Sequence, residues 1–506
     1  MKLEKKLYTH FGYQQFRPGQ KEVIESLMNH ENVLAMLPTG TGKSICFQLP
    51  ALLLSGTAIV VSPLLSLMED QVQQLKSQGI KKVAAINSFL SLSERRAVID
   101  QLKQYKMIYI SPESLMSNHI IAALSSIKVS LFVIDEAHCI SQWGHDFRTD
   151  YLKLGEVWEK LGKPTCLAIT ATATKEVQRD IVTQLGMSQF TPYIYSVHRP
   201  NIALQIEKYN DVDKKIYNLV KYVKTLKGPA LIYVSSRAWA ENITIHLQNE
   251  GIQNVAYYHG GLENEDRLLI QQQFINGQLD IICCTNAFGM GINKSNVRYV
   301  IHFHFPQHME AYLQEIGRAG RDGERSLALL LYCEDDRFLP LSLIEHELPS
   351  KEQLQGVKRY LEMMESSRLL LTNDDELYIQ AQMGLTEGAW RFLLFHLQEL
   401  NVIHLGNVNQ QLISQAFVVI ERKVAARLEE KVKKVQEMVD FINSKSCRRM
   451  DYLSYFDEKL KNQPDNCCDQ CGLSIEKYMK SNHDPSSDLL KLLPWQQELK
   501  KIFHQK

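Results

Sequence analysis

Pro38-Thr39-Gly40-Thr41-Gly42-Lys43-Ser44 follows the apolar run NVLAML and precedes a helix-like stretch. Strand, glycine-rich loop and helix, in that order, suit the phosphates of a nucleotide. Thr39, Gly40, Thr41 and Gly42 would form a cradle in which backbone N–H groups close round the phosphates, with the helix N-terminus adding positive potential. Lys43 can reach the β- and γ-phosphates, and Ser44 can hold Mg²⁺. The strict G-x-x-x-x-G-K-[ST] spacing fails at its first glycine, where Leu37 stands. Further on, LFVIDEAHC puts Asp135 and Glu136 at the end of an apolar run, with His138 close behind. Adjacent carboxylates there are costly unless they coordinate something. Asp135 would complete the Mg²⁺ shell, and Glu136 would orient or deprotonate the attacking water. The chemistry is phosphoryl transfer from a nucleoside triphosphate.

Such a transition state spreads charge over the γ-phosphoryl oxygens, and an arginine placed there is worth about 10³–10⁵ in rate. Gln314-Glu315-Ile316-Gly317-Arg318-Ala319-Gly320-Arg321-Asp322-Gly323 offers two. Arg318 and Arg321 share a face if that stretch is helical. Being so distant in sequence, they would complete the site only across a cleft between two units. Taken alone, they read as surface arginines in ion pairs.

The elements that must position these groups are legible. NVLAML, TAIVVS, KMIYIS, LFVIDEA and TCLAIT alternate with amphipathic stretches, and the alternation restarts after Phe190–Asn201 with ALIYVSS, NVAYYHG, DIICCTN, VRYVIHF and LALLLYC. Continuous apolar runs suit parallel strands buried on both faces. The fold class is α/β: two parallel-sheet domains in tandem, over 1–200 and 201–340. Past Pro340 the text turns helical and charged. Residues 341–425 read either as a winged helix or as a plain helical core, 426–475 as a helical segment with a metal-binding look, and 476–506 as a tail.

The 506 residues carry 57 Lys+Arg against 57 Asp+Glu, so total charge announces neither a nucleic-acid nor a membrane partner. The zero is a sum of unlike parts, because residues 301–400 hold 9 basic against 17 acidic groups while residues 1–300 hold 31 against 26. No run reaches the roughly 18 apolar residues of a membrane span. A soluble, cytoplasmic protein is expected. Six of the ten cysteines lie in apolar runs, and Cys447, Cys467, Cys468 and Cys471 cluster late. Their C-x-x-C spacing points to a metal in a reducing compartment.

In order and spacing these motifs resemble the RecQ family of DNA helicases in helicase superfamily two. The resemblance rests on FGYQQFRPGQ, LPTGTGKS, VVSPLLSLMEDQ, DEAHCISQWGHDFR, AITATAT, IYVSSR, YYHGGLENEDR, AFGMGINKSNVR and QEIGRAGRDG. It implies RecA-like domains, ATP as the nucleotide, and adenine held by Tyr13, Arg17 and Gln20. Trp143, Phe147 and Arg148 match an aromatic-rich loop that couples single-stranded DNA to hydrolysis; base stacking there would be worth about 1–3 kcal/mol per base. By the same resemblance Ser62, Arg237, His259, Thr285 and Asn293 face DNA backbone or the cleft, and His138, Thr170, Thr172 and Gln314 link hydrolysis to domain movement. Ser114 departs from the pattern, since many relatives have arginine there.

The family binds one Zn²⁺ through a Cys-Arg-Arg segment and a later C-x-x-C-D-x-C. Here Cys447-Arg448-Arg449 and Cys468-Asp469-Gln470-Cys471 match, but Asp465 stands where the second cysteine belongs, next to an extra thiol at Cys467. A four-ligand site leaves three readings: Cys467 and Cys468 both bind, Asp465 serves, or the metal is lost. The resemblance implies an ATP-, Mg²⁺- and Zn²⁺-dependent 3′–5′ DNA helicase of recombination and repair, acting on single-stranded and forked or duplex DNA. It further implies contact with single-strand-binding protein, no membrane partner, and association with the nucleoid in a bacterial source. An RNA-dependent ATPase and a DNA-binding scaffold with a weak motor are the alternatives.

Overall fold

Uninterrupted apolar runs become strands buried on both faces. In the computed structural model, which describes residues 3–63, 65–87, 90–141, 148–288, 294–364, 370–404 and 406–480, the first seven are β1 (Val33–Met36), β2 (Thr57–Val61), β3 (Val83–Ile86), β4 (Met107–Ile110), β5 (Val129–Asp135), β6 (Cys166–Thr170) and β7 (Thr191–Ile194). They pair in parallel, in the order β3-β4-β2-β5-β6-β1-β7. Side chains alternate between two apolar layers. Leu34, Met36, Ile59 and Val61 pack on one face, and Val33, Ala35, Ala58 and Val60 on the other. Crossover helices cover both faces. Lys175–Leu185 is typical: the Thr174 hydroxyl accepts the Val177 N–H, one side buries Val177, Ile181 and Leu185, and Gly186 ends the helix at φ 63°.

The second sheet holds β8 (Ile202–Tyr209), β9 (Ala230–Tyr233), β10 (Val255–Tyr258), β11 (Ile281–Cys284), β12 (Tyr299–His302) and β13 (Ser326–Cys333), parallel throughout in the order β10-β11-β9-β12-β13-β8. The two tandem RecA-like sheets of the expected fold class are present. The break expected from Phe190 to Asn201 is shorter, because β7 still pairs with β1 at the first sheet's edge. In each sheet all strands run the same way, so the loops after their carboxyl ends collect at one edge, where open α/β sheets bind ligands.

Beyond the sheets, helices Lys351–Glu362, Asn373–Met383 and Glu387–Glu399 lead into a hairpin, Ile403–His404 with Asn407–Val408, and Leu370 bridges to Asn407. Three helices, a short hairpin and the single bridge at Leu370 are the elements a winged helix needs. A single helix of 34 residues, Gln410–Asn443, follows. Its buried residues fall in two groups, Ile413 to Ile420 and Val435 to Ile442. The first group completes the core of these helices and the hairpin, and the second joins the core that runs from the sheets to the cysteine cluster. The expected division at residue 425 falls inside this helix, whose charged middle is a strut between two cores. The expected limit at 340 likewise falls within the helix Phe338–Glu347, and residues 476–480 pack on the second sheet, where Met479 bridges to Leu226. No helix among the described residues is long and apolar enough to cross a membrane.

Candidate functional site

β1 runs straight into the phosphate loop. Leu37, in place of the usual first glycine, is fully buried and its N–H bonds the Thr170 carbonyl, so the strand's pattern continues one residue further. The loop then turns through Gly40 at φ 84° and Gly42 at φ 75°, and the Thr41 hydroxyl donates to the Pro38 carbonyl at 2.7 Å. Lys43 opens towards the carboxylates, with Nζ 3.3 Å from Glu136 Oε1. Ser44 sits at the start of the helix Ile45–Leu53.

Asp135 is the last residue of β5 and Glu136 adopts φ 48°, a left-handed conformation that a non-glycine residue seldom holds without compensation. Its N–H donates to Asp135 Oδ1 at 3.0 Å. Burial, and next the Glu136 carboxylate, push the Asp135 carboxyl up to about 7 against the pull of Lys43. A divalent cation would reverse that shift. Glu136 Oε2 is buried without a hydrogen-bond partner. A buried carboxyl beside an unsatisfied carboxylate oxygen and the Ser44 hydroxyl is an all-oxygen donor set that fits Mg²⁺. His138 Nδ1 lies 2.8 Å from Thr170 Oγ1, which in turn donates to the Thr172 carbonyl at 3.3 Å. Burial pushes the imidazole down to about 3, so it is neutral.

Arg318 and Arg321 meet this loop from the second sheet. The helix expected to carry them, Met309–Ile316, stops before them, and turns follow through Gly317 and Gly320. Gly317 lies against Thr39, and a Cβ on Gly40 would come within 2.9 Å of Arg321 Cγ, so glycine at both positions lets the halves close. Burial and the neighbouring Arg318 and Arg199 push Arg321 down to about 9. Lys43, Glu136, Gln314, Arg318 and Arg321 line one cleft of ≈ 1490 Å³, open space included. Tyr13, half exposed, lies at its rim. Gln20 Nε2 donates to the carbonyls of Thr41 (2.8 Å) and Gly42 (2.9 Å), and Arg17 donates to that of Gly40. Two of the three residues nominated for adenine therefore brace the phosphate loop.

Sequence reasoning missed Arg199, in the stretch between the sheets. Its guanidinium donates to the carbonyls of Thr39 (2.7 Å), Gly317 (3.1 Å), Ala319 (3.1 Å) and Gly320 (2.8 Å), tying the phosphate loop to the arginine loop. The only sequence signal was a lone cation at the junction, in HRPN.

The residues nominated for DNA follow the carboxyl ends of strands: Ser62 after β2, Arg237 after β9, His259 after β10 and Thr285 after β11. Ser62 is buried, and Thr285 nearly so. His259 Nε2 pairs with Glu241 at 2.9 Å, its Nδ1 accepts the Gly261 N–H, and Arg237 lies against Gly261. Arg148 donates to the Pro63 carbonyl at 2.8 Å. Trp143, Phe147 and Asn293 lie outside the described residues.

The thiol geometry fits the first of the three readings, in which Cys467 and Cys468 both serve. The Sγ atoms of Cys447, Cys467, Cys468 and Cys471 all lie within 4.8 Å of one another, Cys447 being 3.6 Å from Cys467 and 3.9 Å from Cys468. Zn–S bonds of about 2.3 Å in a tetrahedron put sulfurs about 3.8 Å apart. The four thiols fit zinc, and Asp465 is not among them. Burial alone would raise the Cys447 thiol, but the Met450 and Arg449 N–H groups at the start of helix Arg448–Tyr455 help bring it below its ordinary value. Arg449 links cluster to cleft: it donates to the carbonyls of Cys467 (3.4 Å), Ile202 (2.6 Å) and Arg199 itself (2.9 Å).

A nucleotide cleft shared by two parallel sheets in tandem is the architecture of the DEAD/DEAH helicase motors, and family comparison places the chain in that class. Residues 17–180 match the DEAD/DEAH box helicase family and 212–323 the helicase conserved C-terminal domain, while 408–472 match the RecQ zinc-binding family. The chain is 43% identical over 504 residues to the probable ATP-dependent DNA helicase RecS of Bacillus subtilis, covering 99% of this chain and 98% of that one. With the ATP-dependent DNA helicase RecQ of Haemophilus influenzae it shares 42% identity over 72% of this chain, but spans only 59% of that relative. The chain belongs to the RecQ family of ATP-dependent DNA helicases. Among solved structures, Mycobacterium smegmatis Lhr bound to ssDNA and AMP-PNP aligns over 82% of this chain and 61% of its own, with a TM-score of 0.56 at 18% identity. Saccharomyces cerevisiae Dbp5 bound to RNA aligns over 68% and 90%, at 0.54 and 20%. These two likenesses concern the fold.

Proposed function

We propose that the chain couples hydrolysis of ATP, with Mg²⁺, to 3′–5′ movement along single-stranded DNA, and so unwinds forked or duplex DNA in recombination and repair. The observation that carries this reading is the closure of Gly40 and Thr39 on Arg321 and Gly317, which brings the phosphate loop and the arginine loop together at one cleft. Lys43 holds the β- and γ-phosphates, Ser44 and Asp135 hold the metal, and Arg318 and Arg321 offset charge on the γ-phosphoryl group. Mg²⁺ supplies Lewis-acid polarisation and holds substrate and leaving group in place. Glu136 orients and deprotonates the attacking water, its strained backbone and the Lys43 contact keeping the carboxylate in position. Tyr13 stacks on adenine. Gln20 and Arg17 sense the base while holding the loop carbonyls.

When phosphates occupy the loop, Arg199 transmits the state of Thr39 to Gly317–Gly320, and His138 with Thr170 and Thr172 carries the state of Glu136 through the core. Each closure shifts the grip on one strand, and each release returns it. Separating one base-pair step costs about 1.4 kcal/mol on average. The four thiols would hold zinc and so fix the segment whose Arg449 donates to the Arg199 carbonyl. A strand-displacement assay on 3′-tailed, 5′-tailed and forked DNA, with an RNA duplex as control, tests the reading. Unwinding of 3′-tailed and forked DNA is expected, and equal activity on the RNA duplex would move the assignment to RNA.

A further inference from the structure

We propose that a second chamber, distinct from the nucleotide cleft, encloses a single DNA strand, and that the winged helix is its movable wall. The inference rests on the DNA-motor reading above and adds where the strand runs and what must open to admit it.

The chamber spans ≈ 2400 Å³, open space included. Arg148 and Asp150 of the first sheet's unit, Asn286 after β11, the start of the helix Glu387–Glu399, and Lys431 of the long helix all face it. It is therefore walled by both motor units and by the inserted winged helix together. Gln314 and Arg318 border this chamber and the nucleotide cleft alike. A strand lying in the chamber therefore meets two side chains that also line the nucleotide cleft.

The chemistry of the walls matches a sugar-phosphate backbone. Arg148, Arg391, Arg427 and Lys431 bring cations to the lining, and carboxylates stand against them: Glu113, Asp150 and Glu387 by Arg391, Glu430 by Arg427, and Glu347 by Lys431. Such pairing keeps the walls near neutral on their own and lets backbone phosphates exchange for carboxylates. The N-terminus of the 13-residue helix Glu387–Glu399 also opens here, and a Cβ added at Gly388 would meet nothing within 4 Å, so nothing crowds the backbone at that point.

The wall is built to move. Its apolar core, from Leu354 to Ile420, is separate from the cores beneath the two sheets. It is held to the first motor unit by polar contacts: Arg391 Nη1 lies 3.5 Å from Glu113 Oε1 and 3.9 Å from Asp150 Oδ2, and Lys153 donates to Gln398 at 3.3 Å. Arg391 is 47% exposed and Glu113 36%, so water competes for this latch as it does for surface ion pairs generally.

Closing the latch covalently tests the idea, because a ring closed round a strand is a topological link. The full chain carrying Glu113→Cys and Arg391→Cys is loaded with either a single-stranded DNA circle or a linear strand of the same sequence, then joined with a short bismaleimide and washed in high salt. Each single-cysteine variant, which has the same native cysteines, is the control. The expected result is retention of the circle by the joined protein alone, with loss of the linear strand and of both strands from the controls. Loss of circle and linear strand alike from a joined protein that bound both beforehand would overturn the chamber and leave the DNA reading intact. Failure to bind either strand at the outset would remove both. Absence of the crosslink, when each single variant reacts at its new thiol, would contradict the latch. As a second measurement, Glu113→Gln, which removes the latch carboxylate and no cation, is expected to raise the rate of circle loading relative to linear loading; an unchanged ratio would count against a gate.

Discussion

On the first sheet's side of the nucleotide cleft the charges are met locally. Lys43 lies 3.3 Å from Glu136, His138 is bonded to Thr170, and Glu136 binds back to Asp135 through its own N–H. Across the cleft the arrangement is opposite: Arg318, Arg321 and Arg199 crowd together, and Arg321 and Arg199 are pushed down to about 9 and about 10, burial being the largest cause in each. The first side pairs its lysine but leaves a carboxyl and a carboxylate oxygen that a cation would satisfy, whereas the second concentrates positive charge that a polyphosphate would relieve. Binding can therefore be organised by one sheet, while the chemical step needs both.

The sharpest way to break this contrast is to remove one group from each side. Arg318→Ala is expected to lower kcat for ATP hydrolysis by about 10³–10⁵, and Glu136→Gln by about 10²–10⁴, each with nucleotide binding retained in an equilibrium titration. Loss of binding in the Arg318 variant would mean that the second sheet organises the ground state too. Arg199→Ala comes next. It leaves both sides chemically intact but unties them, and about a 10²-fold fall in kcat with little change in KM is expected. Arg199→Lys should not rescue it, because an ammonium cannot reproduce a planar fork spanning four carbonyls. A third contrast sets the cleft against the cysteine cluster. Elemental analysis is expected to return about one zinc per chain, falling in Cys468→Ser, and less than about half an equivalent in the unaltered protein would contradict the zinc reading of the four thiols.

The smallest effect separates the two sheets by pH. Burial pushes His138 of the first down to about 3 and His304 of the second well below its ordinary value. In the folded protein both stay neutral, while the unfolded chain takes up protons below about pH 6.5. Stability is thus full above that pH and declines as pH falls towards the folded values, by at most about 1.4 kcal/mol per pH unit for each group. Urea unfolding at several pH values should show the slope, and His304→Gln should remove one share of it. A flat profile between pH 6.5 and 5 would contradict the buried neutral state.

Much of the site was legible because its parts are local. A loop that follows a strand and opens a helix, or two carboxylates that end an apolar run, are defined by backbone geometry within a few residues. The helix expected through Arg318 and Arg321 ends instead at Ile316, since Gly320 takes φ 57° and the turns bring both guanidiniums to the cleft. The division expected at 425 failed for a related reason: two buried stretches belonging to different cores can share one helix, and local pattern does not reveal which core each joins. The winged helix stayed undecided because its strands are two residues long.

Residue types, their order and their immediate backbone setting were enough to specify phosphoryl chemistry, two parallel sheets and a late thiol cluster. Which thiols share a tetrahedron, that Arg199 bonds carbonyls on both sides of the cleft, and that Gly317 must be bare for Thr39 to approach were decided by tertiary packing alone. The physical reason is that each depends on contacts between segments more than a hundred residues apart or, for the thiols, between two ends of a folded segment. Their distances are set by how the cores beneath them pack.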